Sequence, residues 1–126
     1  MKLLILLGLA TIGALLLGFA LAVASRRPIP TEVVWDHTSC FRSRCIYSGY
    51  LDSPKLAKCR PHRKMKLYDS PPNRESYRLV DTGRSSKHGA WALRGVILSS
   101  PVKIKVTKKD FGPGHRPCDS DSVVLR

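Results

Sequence analysis

Leu3 to Ala24 runs for 22 residues without a charge, and that segment constrains everything the chain can build behind it. It takes so many apolar residues that only about a third of the 102 positions after it are apolar, and all nine prolines fall there too. A chain of that size and composition buries a modest core, and cross-links would help to hold it. Two-domain enzymes, helical bundles and repeat arrays are excluded by length and by the scattered prolines.

The leader is hydrophobic all round, with Met1 and Lys2 before it and Ser25-Arg26-Arg27-Pro28-Ile29-Pro30 after it. As a helix rising about 1.5 Å per residue it is long enough to cross a hydrocarbon core roughly 30 Å thick. Ala22-Val23-Ala24 also has the small-x-small form of a cleavage site, with Ser25 as the new N-terminus. Basic residues flank the run on both sides, so charge does not decide orientation. Residues 1–24 are therefore expected to be a signal peptide or a signal anchor, and the product secreted or membrane-anchored. Residues 25–44 read as a linker and N-terminal loop, and 45–126 as the folded domain.

Cys40, Cys45, Cys59 and Cys118 all follow the leader. An even number in a short exported chain reads as two disulfides, for which three connectivities exist. The preferred one joins Cys59 to Cys118 and Cys40 to Cys45. The first bridge closes a long loop, for which chain entropy suggests about 4 kcal/mol, and the second pins a short one. No two cysteines stand at C-x-x-C spacing, which argues against zinc.

Hydropathy alternates with period two in several short stretches, the mark of strands that are wet on one face. Ile46 to Leu51 alternates. Met65 and Leu67 point inward between Lys64, Lys66 and Tyr68, and Ser70-Pro71-Pro72-Asn73 ends that run. Tyr77 to Thr82, Ala90 to Val96, Val102-Ile104-Val106 and Ser122 to Leu125 follow, with an edge strand at Val33 to Trp35. No sustained helical period appears after the leader. About seven short strands with half-polar faces predict a small antiparallel β-sandwich, with Trp91 and Leu93 at its centre.

The order YSGYLDSPKLAKCRPHRKMKLYD, then RLVDTGRSSKHGAWAL, then PVKIKVTKKDFGPGHRPCDSDSVVL resembles carboxypeptidase-regulatory-like domains. Their fold is a transthyretin-like (prealbumin-like) sandwich, close in kind to Ig-like ones. Gly49 matches the first strand of that pattern, and Met65, Leu67 and Tyr68 the second. Ser85, Ser86, Gly89, Trp91 and Leu93 match the turn and the strand after it. Cys59 and Cys118 stand where secreted nematode transthyretin-like proteins carry cysteines. Ser86 departs from the usual Asp or Asn, and its hydroxyl makes a weaker version of the same turn bond. The resemblance implies a non-catalytic module for adhesion, stalk building or ligand binding.

No catalytic constellation is legible. His37, His62, His88 and His115 are scattered without metal-ligand spacing, and there is no G-x-S-x-G and no paired carboxylate. Gly112-Pro113-Gly114 lacks the flanking strand and helix of a phosphate loop and reads as a turn. Neither cofactor nor metal is expected. Were Cys40 and Cys45 reduced, Arg42 and Arg44 could lower a thiol pKa, which keeps a thiol oxidoreductase as a minor alternative.

Charge is the strongest remaining clue, at a net +13 over the chain. Lys55, Lys58, Arg60, Arg63, Lys64 and Lys66 lie in a stretch free of Asp and Glu, and Lys103, Lys105, Lys108 and Lys109 form a second group. If the strands at Lys64 to Lys66 and Lys103 to Lys105 share a sheet, their outward lysines and His62 make one basic face. The expected partners are an anionic polymer or membrane surface, or else a protein partner bound through loops in a signalling or structural role. Specific nucleic-acid recognition is not expected, since no groove-reading helix or interleaved aromatics accompany the basic run.

Overall fold

A computed structural model describes residues 27–72 and 76–126; the expected leader helix lies outside the described residues. Among the described residues seven strands run in chain order: β1 (Glu32–Phe41), β2 (Arg44–Asp52), β3 (Lys64–Asp69), β4 (Arg78–Arg84), β5 (Ala90–Val96), β6 (Val102–Val106) and β7 (Asp121–Leu125). One turn of helix, α1 (Leu56–Cys59), lies between β2 and β3. The strands pair antiparallel throughout, in a three-stranded sheet β1-β2-β5 and a four-stranded sheet β4-β3-β6-β7. Among the described residues no helix is long and apolar enough to cross a membrane.

The alternation dictates how the sheets meet. Val33, Tyr47, Leu51, Trp91 and Leu93 from the first sheet face Met65, Leu67, Val102, Ile104 and Val106 from the second, all buried in one core. Each such side chain removed from water contributes about 2 kcal/mol. Trp91 and Leu93 sit where the sequence puts them, at 4% and 1% exposure. Gly49 makes room for the indole: a Cβ there would lie 2.7 Å from Trp91 Cζ2 and 2.0 Å from the Val34 carbonyl oxygen. Burial, and then the nearby Asp69 carboxylate, push the Tyr47 phenol above its ordinary value.

Side-chain carboxylates close the seams between the sheets. Asp121 Oδ2 on β7 accepts the Val33 N–H of β1 at 2.8 Å, and Asp81 Oδ2 on β4 accepts the Arg94 N–H of β5 at 2.9 Å. Each occupies a backbone donor that an open edge would leave to another chain. Asp69, fully buried, receives Arg78 Nε at 2.9 Å and Nη2 at 2.7 Å, together with the Leu98 N–H at 2.9 Å. The hydrogen bonds from Arg78 hold its carboxyl below the usual carboxylate range, against the opposing effect of burial.

The strand expected at Val33 to Trp35 runs on to Phe41, past a bulge between Trp35 and His37. Residues 32–44, expected as part of a linker and loop, therefore form β1, the turn after it and the first residue of β2. The stretch before them is also bound. Ile29 N–H donates to the Pro117 carbonyl and its own carbonyl accepts the Asp119 N–H, both at 2.8 Å. Its side chain is buried beside Cys59 and Cys118.

Both expected disulfides are present, Cys40–Cys45 and Cys59–Cys118, and no free cysteine remains. Cys40 and Cys45 are direct cross-strand partners at the end of the β1–β2 hairpin. Cys59–Cys118 ties α1 to the approach to β7. Two bridges in so small a domain fit an oxidising, extracellular-type environment.

Candidate anion-binding surface

β3 and β6 are neighbours, so the lysines expected on one face do meet there. Lys66 stands directly opposite Lys105, and Tyr68 opposite Lys103. Met65, Leu67, Ile104 and Val106 take the inner positions of both strands, which leaves Lys64, Lys66, Lys103 and Lys105 outward. Arg84 on β4 faces Lys64 and extends the row. On the other flank β7 contributes Ser122 and Val124, opposite Lys105 and Lys103. No strand of this sheet offers an outward carboxylate: Asp69 is buried, and Asp81 and Asp121 accept backbone N–H groups. Among the described residues these cations form no salt bridge; the two ion pairs are Arg78–Asp69 and the exposed Lys108–Asp110.

Lys103 is held in place. Its Nζ lies 4.5 Å from the Tyr77 ring centroid and 4.9 Å from that of Tyr68, and the two rings meet edge to face at 6.4 Å. Such contacts fix a cation without neutralising it. Sequence reasoning missed Arg84 and Tyr77 on this face. The signal was present in the register, since a β3–β4 hairpin that pairs Met65 with Gly83 must pair Lys64 with Arg84.

The other expected cations lie elsewhere. Lys55, Lys58 and Arg60 cluster around α1 at one end of the sandwich. Lys55 is exposed, and Lys58 Nζ sits 4.6 Å from the Phe111 ring centroid. Arg60 Nε donates to the Leu51 carbonyl at 2.8 Å, and its stem packs on Gly89, whose φ of 85° keeps it free of a side chain. His62 is exposed beside the entrance to β3, and its carbonyl accepts from Arg84 Nη1 at 3.1 Å.

Arg63 is not an anion-binding residue. It is 1% exposed, the largest of the fully buried side chains. Nη1 donates to Thr31 Oγ1 at 3.0 Å and to the Cys59 carbonyl at 2.8 Å; Nη2 donates to the carbonyls of Thr107 at 2.8 Å and Asp119 at 2.7 Å. Its N–H donates to Ser85 Oγ, which in turn donates to the Arg60 carbonyl. Burial pulls its pKa down and the Asp119 charge opposes this, but a guanidinium remains charged in either case. One side chain thus ties the N-terminal strap, α1 and both ends of the β6–β7 connection. The charge run looked uniform because composition does not register which cation the fold turns inward.

Ser86 makes the turn bond expected of it, its Oγ accepting the Ala90 N–H at 3.1 Å and the His88 N–H at 3.3 Å. Gly112-Pro113-Gly114 is a turn, with the His115 N–H bonded to the Gly112 carbonyl. Among the described residues no group of His, Cys, Asp and Glu could hold a metal ion. Compared with protein-family models, curated proteins and solved structures, the chain matches none.

Proposed function

We propose that this chain is an exported or membrane-anchored, non-enzymatic binding module of transthyretin-like architecture that docks an anionic polymer or surface on the outer face of its four-stranded sheet. The observation that carries the proposal is the pairing of Lys66 with Lys105, with Lys64, Lys103 and Arg84 on the same side and no carboxylate among them. Like charges placed opposite one another cost stability, and an anion relieves that cost when it binds. A row of lysines set along two paired strands suits a repeating array of charges better than one small ligand. The disulfides and the Arg63 hub support the reading by stiffening the frame behind the lysines.

The test is retention on heparin beads as salt is raised, for the protein recovered from its producing cell. Binding is expected to weaken steeply with ionic strength. A variant with Lys64→Gln, Lys66→Gln, Lys103→Gln and Lys105→Gln should elute earlier, with a salt slope shallower by roughly one per lysine engaged. Retention that ignores salt, or a variant that elutes with the wild type, sinks the reading and favours a protein partner bound through loops.

A further inference from the structure

The end of the β1–β2 hairpin carries a second feature, on the opposite side of the sandwich and independent of the lysine face. Phe41 is 77% exposed, the most exposed large apolar residue described. It is paired across the hairpin with Arg44, and the guanidinium carbon of Arg42 lies 5.6 Å from its ring centroid. Arg42 takes the left-handed conformation, with φ 56°, that lets the chain reverse there. Beside the ring, Ile46 and Val96 are exposed apolar residues, and Arg94 stands directly opposite Ile46. Phe41, Arg44, Ile46, Arg94 and Val96 line a cleft of about 360 Å³.

This tip is rigid. The Cys40–Cys45 bridge closes it, and the Ile97 N–H donates to the Ser43 carbonyl at 2.8 Å, tying the turn to the end of β5. Exposing an aromatic ring on a pinned turn costs apolar hydration with no return inside the fold, while the ordering that binding would demand is already made. Its charge has one sign: residues 39–46 and 92–98 contain Arg42, Arg44 and Arg94 and no Asp or Glu. Asp81 and Asp69, which meet β5 and its end at the Arg94 and Leu98 N–H groups, are engaged by those groups and by Arg78.

We infer that the Cys40–Cys45 tip docks on an anionic lipid surface, with Phe41 entering the boundary between headgroups and acyl chains and Arg42, Arg44 and Arg94 meeting lipid phosphates. The pairing of the two chemistries selects the occupant. A polysaccharide would satisfy the arginines but offers no apolar phase for Phe41, Ile46 and Val96. A neutral apolar partner would leave three guanidinium groups facing nothing of opposite sign. An anionic bilayer interface supplies both at the depth a projecting turn can reach.

The full chain carrying Phe41→Trp tests this, with vesicles of phosphatidylcholine and phosphatidylglycerol in equal parts and brominated acyl chains. The wild type, which has only Trp35 and Trp91, supplies the background emission. The added indole should be quenched beyond that background in the anionic vesicles, and far less in phosphatidylcholine alone. Adding Arg42→Gln and Arg44→Gln should lower the partitioning that this quenching reports by roughly fivefold per arginine. All three positions are exposed, and a urea midpoint equal to the wild type's establishes that each variant is folded. Quenching no greater than the wild type's, or equal in neutral and anionic vesicles, overturns the inference. So does sedimentation showing that the chain self-associates and that Phe41→Ser abolishes it, since the tip would then be covered by a second copy. None of these results depends on heparin retention, so the two readings fail separately.

Discussion

Arg63 and Lys64 are adjacent in a run of cations, and the inward and outward alternation that begins at β3 gives them opposite fates. Arg63→Met keeps the bulk but leaves Thr31 Oγ1 and the carbonyls of Cys59, Thr107 and Asp119 without their donor. Buried acceptors stripped of a partner are costly, so the urea midpoint should fall by the equivalent of about 3 kcal/mol, with heparin retention of the folded fraction unchanged. Lys64→Met should do the reverse, leaving stability nearly constant and shortening retention; equal effects from the two variants would refute the division. Asp69 gives the acid limb. Its folded pKa is depressed by Arg78, so its contribution is complete above the unfolded value of about 3.9 and is lost as pH falls through the folded one. Asp69→Asn should therefore cost about 2 kcal/mol at neutral pH and flatten the loss of stability below about pH 4, as read from urea midpoints across that range. A variant that keeps the wild-type acid slope would place the titration elsewhere.

At the scale of elements, legibility followed how cleanly each strand separates a dry face from a wet one. β3 and β6 have lysines facing water and Met65, Leu67, Val102, Ile104 and Val106 facing the core, so period two revealed them. β1 is interrupted by its bulge and is exposed along most of its second half, so its apolar signal ended near Trp35 while its hydrogen bonds continued to Phe41. Pairing is a tertiary fact of another kind. β3 reaches β6 across two intervening strands, and the basic face rested on that pairing, which alternation alone leaves open. The bridges follow from loop length. Cys59–Cys118 spans 59 positions and Cys40–Cys45 only 5, which by chain entropy corresponds to about 4 and about 2 kcal/mol. Replacing Cys59 and Cys118 together by Ala should lower the urea midpoint about twice as far as replacing Cys40 and Cys45. The second pair of changes should leave the core intact, with near-ultraviolet ellipticity from Trp91 preserved. Loss of Trp91 packing on opening the hairpin bridge would mean that the tip supports the core rather than projecting from it.

For the whole molecule, binding and stability pull in opposite directions. The chain carries a net +13 and, among the described residues, its exposed lysines have almost no carboxylates to answer them. Lys66 opposite Lys105 and Lys64 opposite Arg84 concentrate that repulsion on one sheet, where it acts only when the strands are paired. Screening should therefore stabilise this fold while it weakens attachment to a polyanion, so the urea midpoint should rise over the same sodium chloride range in which heparin retention falls. Lys66→Gln with Lys105→Gln should raise the midpoint at low salt by the equivalent of about 0.5 kcal/mol, the usual cost of like charges directly across a sheet, and should reduce the response to salt. The same variant should leave the beads earlier. If it is instead less stable than the wild type, the lysine stems contribute more by packing than their charges cost, and the face would be a solvated surface rather than one held ready for an anion.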